Sequence, residues 1–374
     1  MENIHIVSTI DSNYIQHFCT MLASIVKNTN YRERLIVHLI HDGLTELETD
    51  QILQCTNKLG LQICFLKIDK ENFIEFDVSG HFSLAIYYRL MIPSLFDKNV
   101  EKILYLDVDI IVRKDIVELW NLELGNYSIG AVEDQDGYLR LKELGIPEDN
   151  KYFNAGVLLI NLNKWRSNAI ASKVAAFISN NRQKLKYHDQ DALNAILYSD
   201  WIELPVTWNI QSNMYKDSDE NQAIEEGELA LAKENPSVVH YTTASKPWHV
   251  TSTHPFKEEY FHYLQYTPFK NFQMVDPGLK DLLQRKQKLF IFGAGILGEK
   301  LVTALQLQIS GFIDNSKDKW GRMLLQKEIN SPGKLLDFPK EEIGIVIVSV
   351  HHKAIEKQLA SLGFQENIDF VSQL

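Results

Sequence analysis

The sequence contains few cysteines, no excess of basic side chains and no long apolar run, and each shortage excludes a class of protein. Three cysteines in 374 residues form no metal-type spacing and cannot all pair internally, which favours a reducing compartment. Acidic side chains outnumber basic ones by 49 to 38, which argues against a nucleic-acid-binding protein. No apolar run approaches the roughly 18 residues of a membrane-spanning helix. We therefore expect a cytoplasmic protein without a transmembrane segment, which could still associate with a membrane peripherally.

Short apolar runs rich in β-branched residues alternate with helical patterns through most of the chain. The hydrophobic fraction of 45% and the charged fraction of 23% are ordinary for a globular protein. The strand-like runs include residues 34–40, 61–68, 102–106, 128–132, 152–162 and 237–241. This alternation predicts an α/β fold with a mostly parallel sheet and helices on both faces. Residues 207–235 are polar and irregular, and we expect them to cross loops.

A second α/β pattern begins after a connector that contains two prolines and a cluster of charges. It runs strand, glycine turn and helix, followed by two more strands and a helix. A chain of this length is expected to form two or three domains. We predict a first domain over residues 1–267, a linker over 268–286 and a small Rossmann-like α/β domain over 287–374.

The stretch ILYLDVDIIV (103–112) combines a strand-like apolar run with two acids, Asp107 and Asp109. Residues two apart in an extended chain point to the same side, so both carboxylates could face one ligand beyond the strand. Ligands of open α/β sheets bind at this carboxyl end of the strands. Two acids that close repel each other unless a divalent cation such as Mg²⁺ or Mn²⁺ lies between them. The alternative is that the acids only end the strand and cap the following turn.

Three further polar side chains follow a strand-like run or stand at an apparent helix start. His240 ends the run SVVHY and could supply a neutral imidazole as a third ligand, most naturally for Mn²⁺. Lys246 could approach a diphosphate as a point charge, or it could be an ordinary surface lysine. Asp189, in YHDQDALNAIL, could bind substrate or serve as the N-cap of the helix.

In their order and spacing these stretches resemble the family-8 retaining glycosyltransferases, which include bacterial lipooligosaccharide galactosyltransferases and glycogenin. The resemblance covers about residues 1–265. It rests on the segments DSNY, YYRL, ILYLDVDIIVRKDIVELW, YFNAGVLLINLNKWR, YHDQDALN and HYTTASKPW. It implies a GT-A fold, a nucleotide-sugar donor, most often UDP-galactose or UDP-glucose, and dependence on Mn²⁺, with Mg²⁺ as the alternative ion.

The resemblance also implies roles for individual residues, and Asp107, Asp109 and His240 match the metal ligands of the family. Positions that match donor-binding groups are Asp11, Asn13, Tyr14, Arg89, Asp107, Val108, Thr243 and Lys246. Positions that match groups around the donor sugar, where the chemistry occurs, are Asp134, Asn154, Asp189 and Gln190. Thr243 stands where the family often has glycine, which permits close backbone approach to phosphate. The threonine hydroxyl could compensate with a hydrogen bond.

The activity implied by the resemblance is transfer of a hexose, galactose or glucose, from a UDP-sugar to a hydroxyl of a glycan, glycoprotein or lipid-linked acceptor. Retaining and inverting enzymes differ by the group behind the anomeric carbon. By resemblance that group is Gln190, whose amide is a poor nucleophile. A front-face mechanism is therefore favoured over double displacement through Asp134 or Asp189. The acceptor hydroxyl would attack on the side that the diphosphate leaves, and a phosphate oxygen would take its proton.

The stretch FGAGILG places Gly293, Gly295 and Gly298 in a G-x-G-x-x-G pattern between a strand and a helix. Asp314 stands at the end of the next strand, and this context meets the conditions for a dinucleotide site. The segment is similar to small Rossmann-like modules fused to many bacterial sugar-processing enzymes, in which a bound cofactor is often not evident. A structural or acceptor-recruiting role is therefore favoured over binding of NAD.

Two alternatives belong to other classes of protein. The chain could be a catalytically weak scaffold that binds sugar or protein, with Thr243 as the warning sign. It could also be a nicotinamide-dependent enzyme centred on residues 293–298, with the first domain as its partner. Release of UDP from a panel of UDP-sugars separates both from an active glycosyltransferase.

Overall fold

The computed structural model describes residues 2–69, 84–215, 226–243, 245–275 and 277–373. The chain clusters into two compact units, one of residues 1–244 with 258–270 and the other of 245–257 with 271–374. The domain bounds proposed from the sequence stay a prediction. The three cysteines are free thiols, and no helix within the described ranges is long and apolar enough to cross a membrane.

The first unit alternates strands with helices along the chain. Its described strands are β1 (Ile4–Thr9), β2 (Leu35–His41), β3 (Gln62–Lys67), β4 (Lys102–Leu106), β5 (Ile110–Val112), β6 (Ile129–Glu133), β7 (Phe153–Asn161), β8 (Trp201–Glu203), β9 (Ile210–Gln211) and β10 (Val238–His240). Its described α-helices are α1 (Ile15–Asn28), α2 (Glu46–Leu59), α3 (Ile92–Leu95), α4 (Ile116–Trp120), α5 (Leu141–Leu144), α6 (Leu162–Ser167), α7 (Ile170–Asn180), α8 (His188–Leu197), α9 (Glu226–Glu234) and α10 (Lys257–Leu264). Short 3-10 helices cover Ser12–Tyr14, Arg32–Arg34, Leu84–Met91, Gln135–Arg140, Arg182–Lys184, Val206–Asn209 and Ser212–Tyr215.

A seven-stranded sheet with the order β3-β2-β1-β4-β7-β6-β8 forms the centre of this unit among the described residues. β7 pairs antiparallel with β4 and β6, whereas the remaining pairs are parallel. β1, β4 and β7 are buried almost throughout, as strands with helices on both faces must be. The predicted α/β fold with a mostly parallel sheet is confirmed.

Local sequence chemistry sets the bounds of α2. Thr45 and Glu48 form a capping box, in which each side chain accepts a hydrogen bond from the backbone of the other residue. Gly60 ends the helix in the left-handed conformation at φ +68°, which a glycine adopts without strain. The helix therefore has a local start signal and a local stop signal in the sequence.

The stretch 103–112 is two strands in two sheets rather than one strand. β4 lies in the central sheet, whereas β5 belongs to a three-stranded sheet with the order β5-β10-β9. The backbone N–H of Asp107 still donates to the carbonyl oxygen of Gly156 at 2.8 Å, and beyond it the chain crosses to the second sheet. There Ile110 pairs antiparallel with His240. The two acids thus lie at the crossover between the sheets.

The expectation of loops over residues 207–235 is wrong in part, because this range contains β9 and α9. β9 has only two residues, and it forms because Ile210 pairs in parallel with Val239 of β10. Pairing with a distant strand is invisible to local sequence patterns, which explains the error. Residues 216–225 lie outside the described ranges.

The second unit contains its own sheet with the order β13-β14-β12-β11-β15-β16 among the described residues. Its elements are α11 (Pro277–Arg285), β11 (Lys288–Phe292), α12 (Ile296–Ala304), β12 (Gly311–Ile313), β13 (Met323–Leu324), β14 (Lys327–Asn330), β15 (Ile343–Ile347), α13 (His352–Ser361) and β16 (Phe370–Ser372), with 3-10 helices at Lys317–Lys319 and Pro332–Asp337. β13 pairs antiparallel with β14, and the other pairs are parallel. The sheet supports the predicted small α/β domain.

Two of the three patterned glycines in this unit are required by packing. A Cβ atom on Gly298 would lie 2.1 Å from the carbonyl oxygen of Gly293, which is backbone and cannot move aside cheaply. A Cβ atom on Gly293 would lie 2.3 Å from the carbonyl oxygen of Val348, and its φ of +127° already disfavours other residues. Gly295 has φ −135°, and a Cβ atom there would meet no heavy atom within 4 Å.

Gly298→Ala and its matched control Gly295→Ala therefore test whether packing requires the glycines of this pattern. We expect Gly298→Ala to lower the free energy of unfolding by about 1–3 kcal/mol, the usual cost of overpacking. Gly295→Ala should leave stability unchanged. Hydrogen exchange at the amides of β11 and α12 in the full chain measures both effects. Equal protection in the two variants would show that the packing account is wrong.

Candidate active site

Asp107, Asp109 and His240 bring three ligand atoms together within 4.8 Å of one another. Nε2 of His240 lies 3.3 Å from Oδ1 of Asp109 and 3.8 Å from Oδ2 of Asp107. Neighbouring ligands of an octahedral ion with bonds near 2.1 Å are about 3 Å apart. The two carboxylates supply the oxygen ligands that hard divalent cations prefer, and the imidazole adds a nitrogen ligand. These residues therefore fit a divalent cation with small movements.

A buried guanidinium organises the acids on the other side of this cluster. Arg89 is 4% exposed, and its Nη2 lies 3.1 Å from Oδ1 of Asp107, while its Nε lies 2.8 Å from Oδ2 of Asp189. The Tyr105 hydroxyl also donates to Oδ1 of Asp107 at 2.9 Å, and its ring lies under the guanidinium. Two carboxylates pair with this guanidinium, and Asp109 adds a third carboxylate on the other side of Asp107. Three negative charges against one positive charge leave two for a dication to balance.

The titration of nearby groups reflects burial together with these charges. Burial raises the pKa of Asp189 to about 6 against the opposing charge of Arg89, so its carboxylate is ionised at neutral pH. Burial also raises the pKa of Asp134, and hydrogen bonds from Gln190 and Asn154 partly offset this rise. The pKa of Tyr14 is raised first by burial and then by the charge of Asp109, which places this phenol near the acids.

The start of β7 connects the residues expected around the donor sugar. The carbonyl oxygen of Ala155 accepts from Nη1 of Arg89 at 2.6 Å. The backbone N–H of Ala155 donates to Oε1 of Gln190 at 3.0 Å. Nε2 of Gln190 in turn donates to Oδ2 of Asp134 at 3.0 Å. The Gln190 amide is thereby held at both ends, and Asn154 beside it is 5% exposed.

Gly156, the next residue of β7, allows the imidazole of His240 to approach the backbone. A Cβ atom at Gly156 would lie 2.1 Å from Cε1 of His240 and 2.8 Å from Oδ2 of Asp107. The metal cluster therefore needs a residue without a side chain at this position. In the motif NAGV the glycine serves packing rather than backbone flexibility.

The remaining predicted donor-binding residues occupy different surroundings. Asp11 accepts from the backbone N–H of Asn13 at 2.9 Å and so caps the short helix after β1. Val108 is buried between the two acids, and Thr243 is half-buried in the bend after β10. Lys246 is buried within the second compact unit, where its backbone N–H donates to Nδ1 of His249 at 3.2 Å. The donor-binding roles of these residues stay predictions.

The N-cap interpretation of Asp189 is wrong. The N-cap residue of α8 is Tyr187, and it makes no side-chain capping bond. Asp191 instead accepts the backbone N–H groups of Lys186 and Tyr187 at 2.7 and 2.8 Å, and Arg140 pairs with it at 3.0 Å. Because Asp191 stabilises the helix start, the carboxylate of Asp189 is left to pair with the guanidinium of the site.

Sequence reasoning missed three residues that hold the cluster, namely Tyr105, Gly156 and Asn209. The role of Tyr105 could have been inferred from the sequence, because this residue lies two residues before Asp107 on the same strand face. Gly156 lies inside the motif already quoted, although nothing in the motif shows that His240 packs against it. Nδ2 of Asn209 donates to Oδ1 of Asn154, and its Oδ1 lies 2.9 Å from Nδ1 of His240. Asn209 lies in the range expected to form loops.

Asp314, the acidic residue that follows the glycine pattern of the second unit, binds groups of the protein itself through both of its carboxylate oxygens. Oδ2 of Asp314 accepts from the backbone N–H of Ala294 at 3.0 Å and lies 2.9 Å from Nζ of Lys319. Oδ1 accepts from the backbone N–H of Ser316 at 2.9 Å. The carboxylate thus braces the glycine loop against the next strand, and nucleotide binding at Gly293, Gly295, Gly298 and Asp314 stays a prediction.

Sequence comparison with known families finds two matches along the chain. The family described as Glycosyl transferase family 8 matches residues 5–252. A second family, described as C2185-like, N-terminal, matches residues 285–368.

Among curated proteins, the chain is 37% identical to General stress protein A of Bacillus subtilis over 270 residues, covering 71% of this chain and 94% of that protein. It is 27% identical to a lipopolysaccharide 1,2-glucosyltransferase of Escherichia coli K12, covering 72% and 80% of the two chains. Among solved structures it is similar to the galactosyltransferase LgtC in complex with donor and acceptor sugar analogs. That similarity has a TM-score of 0.63 and 25% identity, covering 74% of this chain and 99% of that one.

Gly156→Ala tests whether β7 positions the cluster. We expect Mn²⁺ affinity to fall by about 10- to 100-fold, the usual effect of disturbing ligand orientation, because the added methyl group displaces His240 and Asp107. Mn²⁺ binding is measured by electron paramagnetic resonance of the free ion. Gly130→Ala is the matched control, since the nearest atoms to its Cβ atom would be side-chain atoms of Leu204 and Leu124 rather than atoms of the cluster. Equal Mn²⁺ affinity in both variants would contradict the prediction.

Proposed function

This chain belongs to glycosyl transferase family 8, and on that premise we propose that it moves a hexose from a UDP-sugar to a hydroxyl of a glycan or glycoprotein. Transfer occurs with retention of configuration and depends on Mn²⁺. The observation that carries the proposal is the convergence of Asp107, Asp109 and His240 within 4.8 Å, beside a buried Arg89–Asp189 pair.

The names of the relatives support a hexose donor and a glycan acceptor. One relative is named as a glucosyltransferase that acts on lipopolysaccharide, and one similar structure as a galactosyltransferase with donor and acceptor sugar analogs. These names favour glucose or galactose as the transferred sugar. They also favour a growing glycan as the acceptor.

The two acids and the imidazole would hold the cation at the crossover between the two sheets. A bound divalent cation supplies Lewis-acid stabilisation of the departing nucleotide diphosphate. Asp11 and Asn13 follow the neighbouring strand β1, and with Tyr14 they would contact the uridine side of the donor. Thr243 would add a contact to the diphosphate.

Arg89, Asp189, Gln190 and Asp134 would bind the donor sugar. Arg89 fixes the Asp189 carboxylate at 2.8 Å, so that carboxylate can accept hydrogen bonds from sugar hydroxyls in one orientation. The amide of Gln190 is fixed between Ala155 and Asp134 and presents a dipole that is already oriented. Such prearranged groups stabilise positive charge at the anomeric carbon without reorganising during the reaction.

A front-face displacement agrees with these contacts. Both acids that could attack the anomeric carbon are engaged, Asp189 by Arg89 and Asp134 by the amides of Gln190 and Asn154. The bond from the anomeric carbon to the diphosphate oxygen breaks while the acceptor oxygen bonds to that carbon from the same side. The proton of the acceptor hydroxyl passes to an oxygen of the departing diphosphate. No protein nucleophile is required.

UDP release from a panel of UDP-sugars with Mn²⁺ tests the donor class. We expect turnover of UDP-glucose or UDP-galactose, and loss of more than about 100-fold in Asp109→Asn, because losing a ligand exceeds the 10- to 100-fold cost of losing an outer partner. Asp97→Asn removes an exposed carboxylate away from the cluster and is the control. Unchanged turnover in Asp109→Asn would show that the metal assignment is wrong.

The stereochemical course is tested on the product and on the protein. We expect the anomeric configuration of the donor to be kept, as read by proton NMR of the product. We also expect intact-protein mass spectrometry to find no glycosyl adduct during turnover, because Asp134 and Asp189 are held by other groups. An adduct mapped to either acid would replace the front-face mechanism with double displacement.

A further inference from the structure

Asn209 contacts the ring nitrogen of His240 that is not the one facing Asp107 and Asp109. It is completely buried at the end of the 3-10 helix Val206–Asn209, just before β9. Its Oδ1 lies 2.9 Å from Nδ1 of His240, and its Nδ2 lies 2.9 Å from Oδ1 of Asn154. The side chain therefore connects the imidazole to the start of β7.

The orientation of every group in this chain of hydrogen bonds follows from one backbone donor. The N–H of Gly156 can only donate, and it lies 3.0 Å from the Asn154 side-chain atom that must therefore be the oxygen. The Asn209 atom facing that oxygen must then be its NH₂ group. Its other end, which faces His240, must be its carbonyl oxygen.

This orientation determines which nitrogen of the neutral His240 imidazole carries the proton. A carbonyl oxygen only accepts, so Nδ1 must be the N–H donor and Nε2 must keep its lone pair. That lone pair points toward Asp109 at 3.3 Å and Asp107 at 3.8 Å. A cation needs this lone pair as a ligand. Without a cation, the negative carboxylates repel the lone pair and disfavour this tautomer.

The competing tautomer is the one that the acids alone would select. A proton on Nε2 would donate to Oδ1 of Asp109 and relieve the repulsion between the carboxylates and the imidazole. It would also remove the lone pair that binds the metal. In the neutral ring Asn209 opposes this outcome, because moving the single proton to Nε2 would leave its buried carbonyl oxygen facing an unprotonated nitrogen at 2.9 Å.

We propose that Asn209 is a positioning residue that holds His240 in its Nδ1–H tautomer and so keeps Nε2 available to the cation. The inference rests on the metal site of the proposed function. Asn209 acts on the cation only through the imidazole of His240 and needs no contact with the donor. It also gives the buried amide a purpose beyond packing, since a leucine of similar size would fill the same space.

Two substitutions separate positioning from packing. Asn209→Leu removes the acceptor for Nδ1–H and the donor to Asn154, whereas Asn209→Asp removes the donor and keeps an acceptor. If the role is positioning, we expect Asn209→Leu to weaken Mn²⁺ binding by about 10- to 100-fold, and Asn209→Asp to stay much closer to wild type. If the role is only structural, Asn209→Asp should be as damaging as Asn209→Leu, because it buries a charge.

The direct measurement is the tautomer of His240 in the metal-free full chain. Nitrogen-15 NMR of histidine-labelled protein distinguishes the two ring nitrogens, and the signals of His240 are assigned by their loss in His240→Gln. We expect Nδ1–H in the wild type and in Asn209→Asp, and a shift toward Nε2–H in Asn209→Leu. The spectra are read at a pH where the ring is neutral, and a neutral wild-type imidazole with its proton on Nε2, or an unchanged tautomer in Asn209→Leu, overturns the proposal.

Asn194→Leu is the matched control for losing a buried amide. Asn194 is also completely buried, and its side chain bonds the N–H and carbonyl of Phe153 at 2.8 and 2.9 Å without reaching His240. We expect it to lose stability and to keep both the tautomer and Mn²⁺ affinity. Failure of the wild type to bind Mn²⁺ or to release UDP would refute the proposed function, and the tautomer measurement would still decide the role of Asn209.

Discussion

Repulsion among acids that share one buried site is the constraint around which this structure is arranged. Asp107, Asp109 and the lone pair of His240 face one another within 4.8 Å, and Asp189 adds a further carboxylate behind them. One guanidinium, Arg89, partly balances them from the protein side. The unbalanced charge fits the dication that we propose for this site and, with it, the phosphates of the proposed donor.

The crossover between two sheets lets the protein build this cluster. β4 ends in the central sheet and β5 begins in the small sheet, and each acid between them keeps one backbone hydrogen bond: Asp107 N–H donates to the carbonyl oxygen of Gly156, and Tyr241 N–H donates to the carbonyl oxygen of Asp109. β10 then brings His240 alongside Ile110. The start of β7 closes the site from the other side, with a glycine where the imidazole packs and peptide groups that bind Arg89 and Gln190. Each side chain is therefore positioned by backbone rather than by flexible loops.

Much of the fold was predictable because its signals are local. The capping box of α2 and the apolar runs of β2, β4 and β7 mark their own elements. The pair Asp107 and Asp109 was also recognisable from the sequence, since burying charge in an apolar strand is costly unless the charge has a partner. The break of 103–112 into two strands was not predictable, because Val108 continues the apolar pattern and only pairing with β10 ends the first strand. β9 and Asn209 were missed for the same reason, as their structure depends on partners about 30 residues away.

The sequence by itself determined the α/β class, the family-type motifs and the acids at residues 107, 109 and 189. These are properties of residue type and short spacing, which survive without knowledge of partners. Tertiary structure alone decided that Asp191 rather than Asp189 stabilises the start of α8, and that Gly156 makes room for His240. It also decided the direction of the hydrogen bonds from Gly156 through Asn154 and Asn209 to the imidazole. Hydrogen-bond direction depends on which groups meet in space, and no pattern along the chain records that.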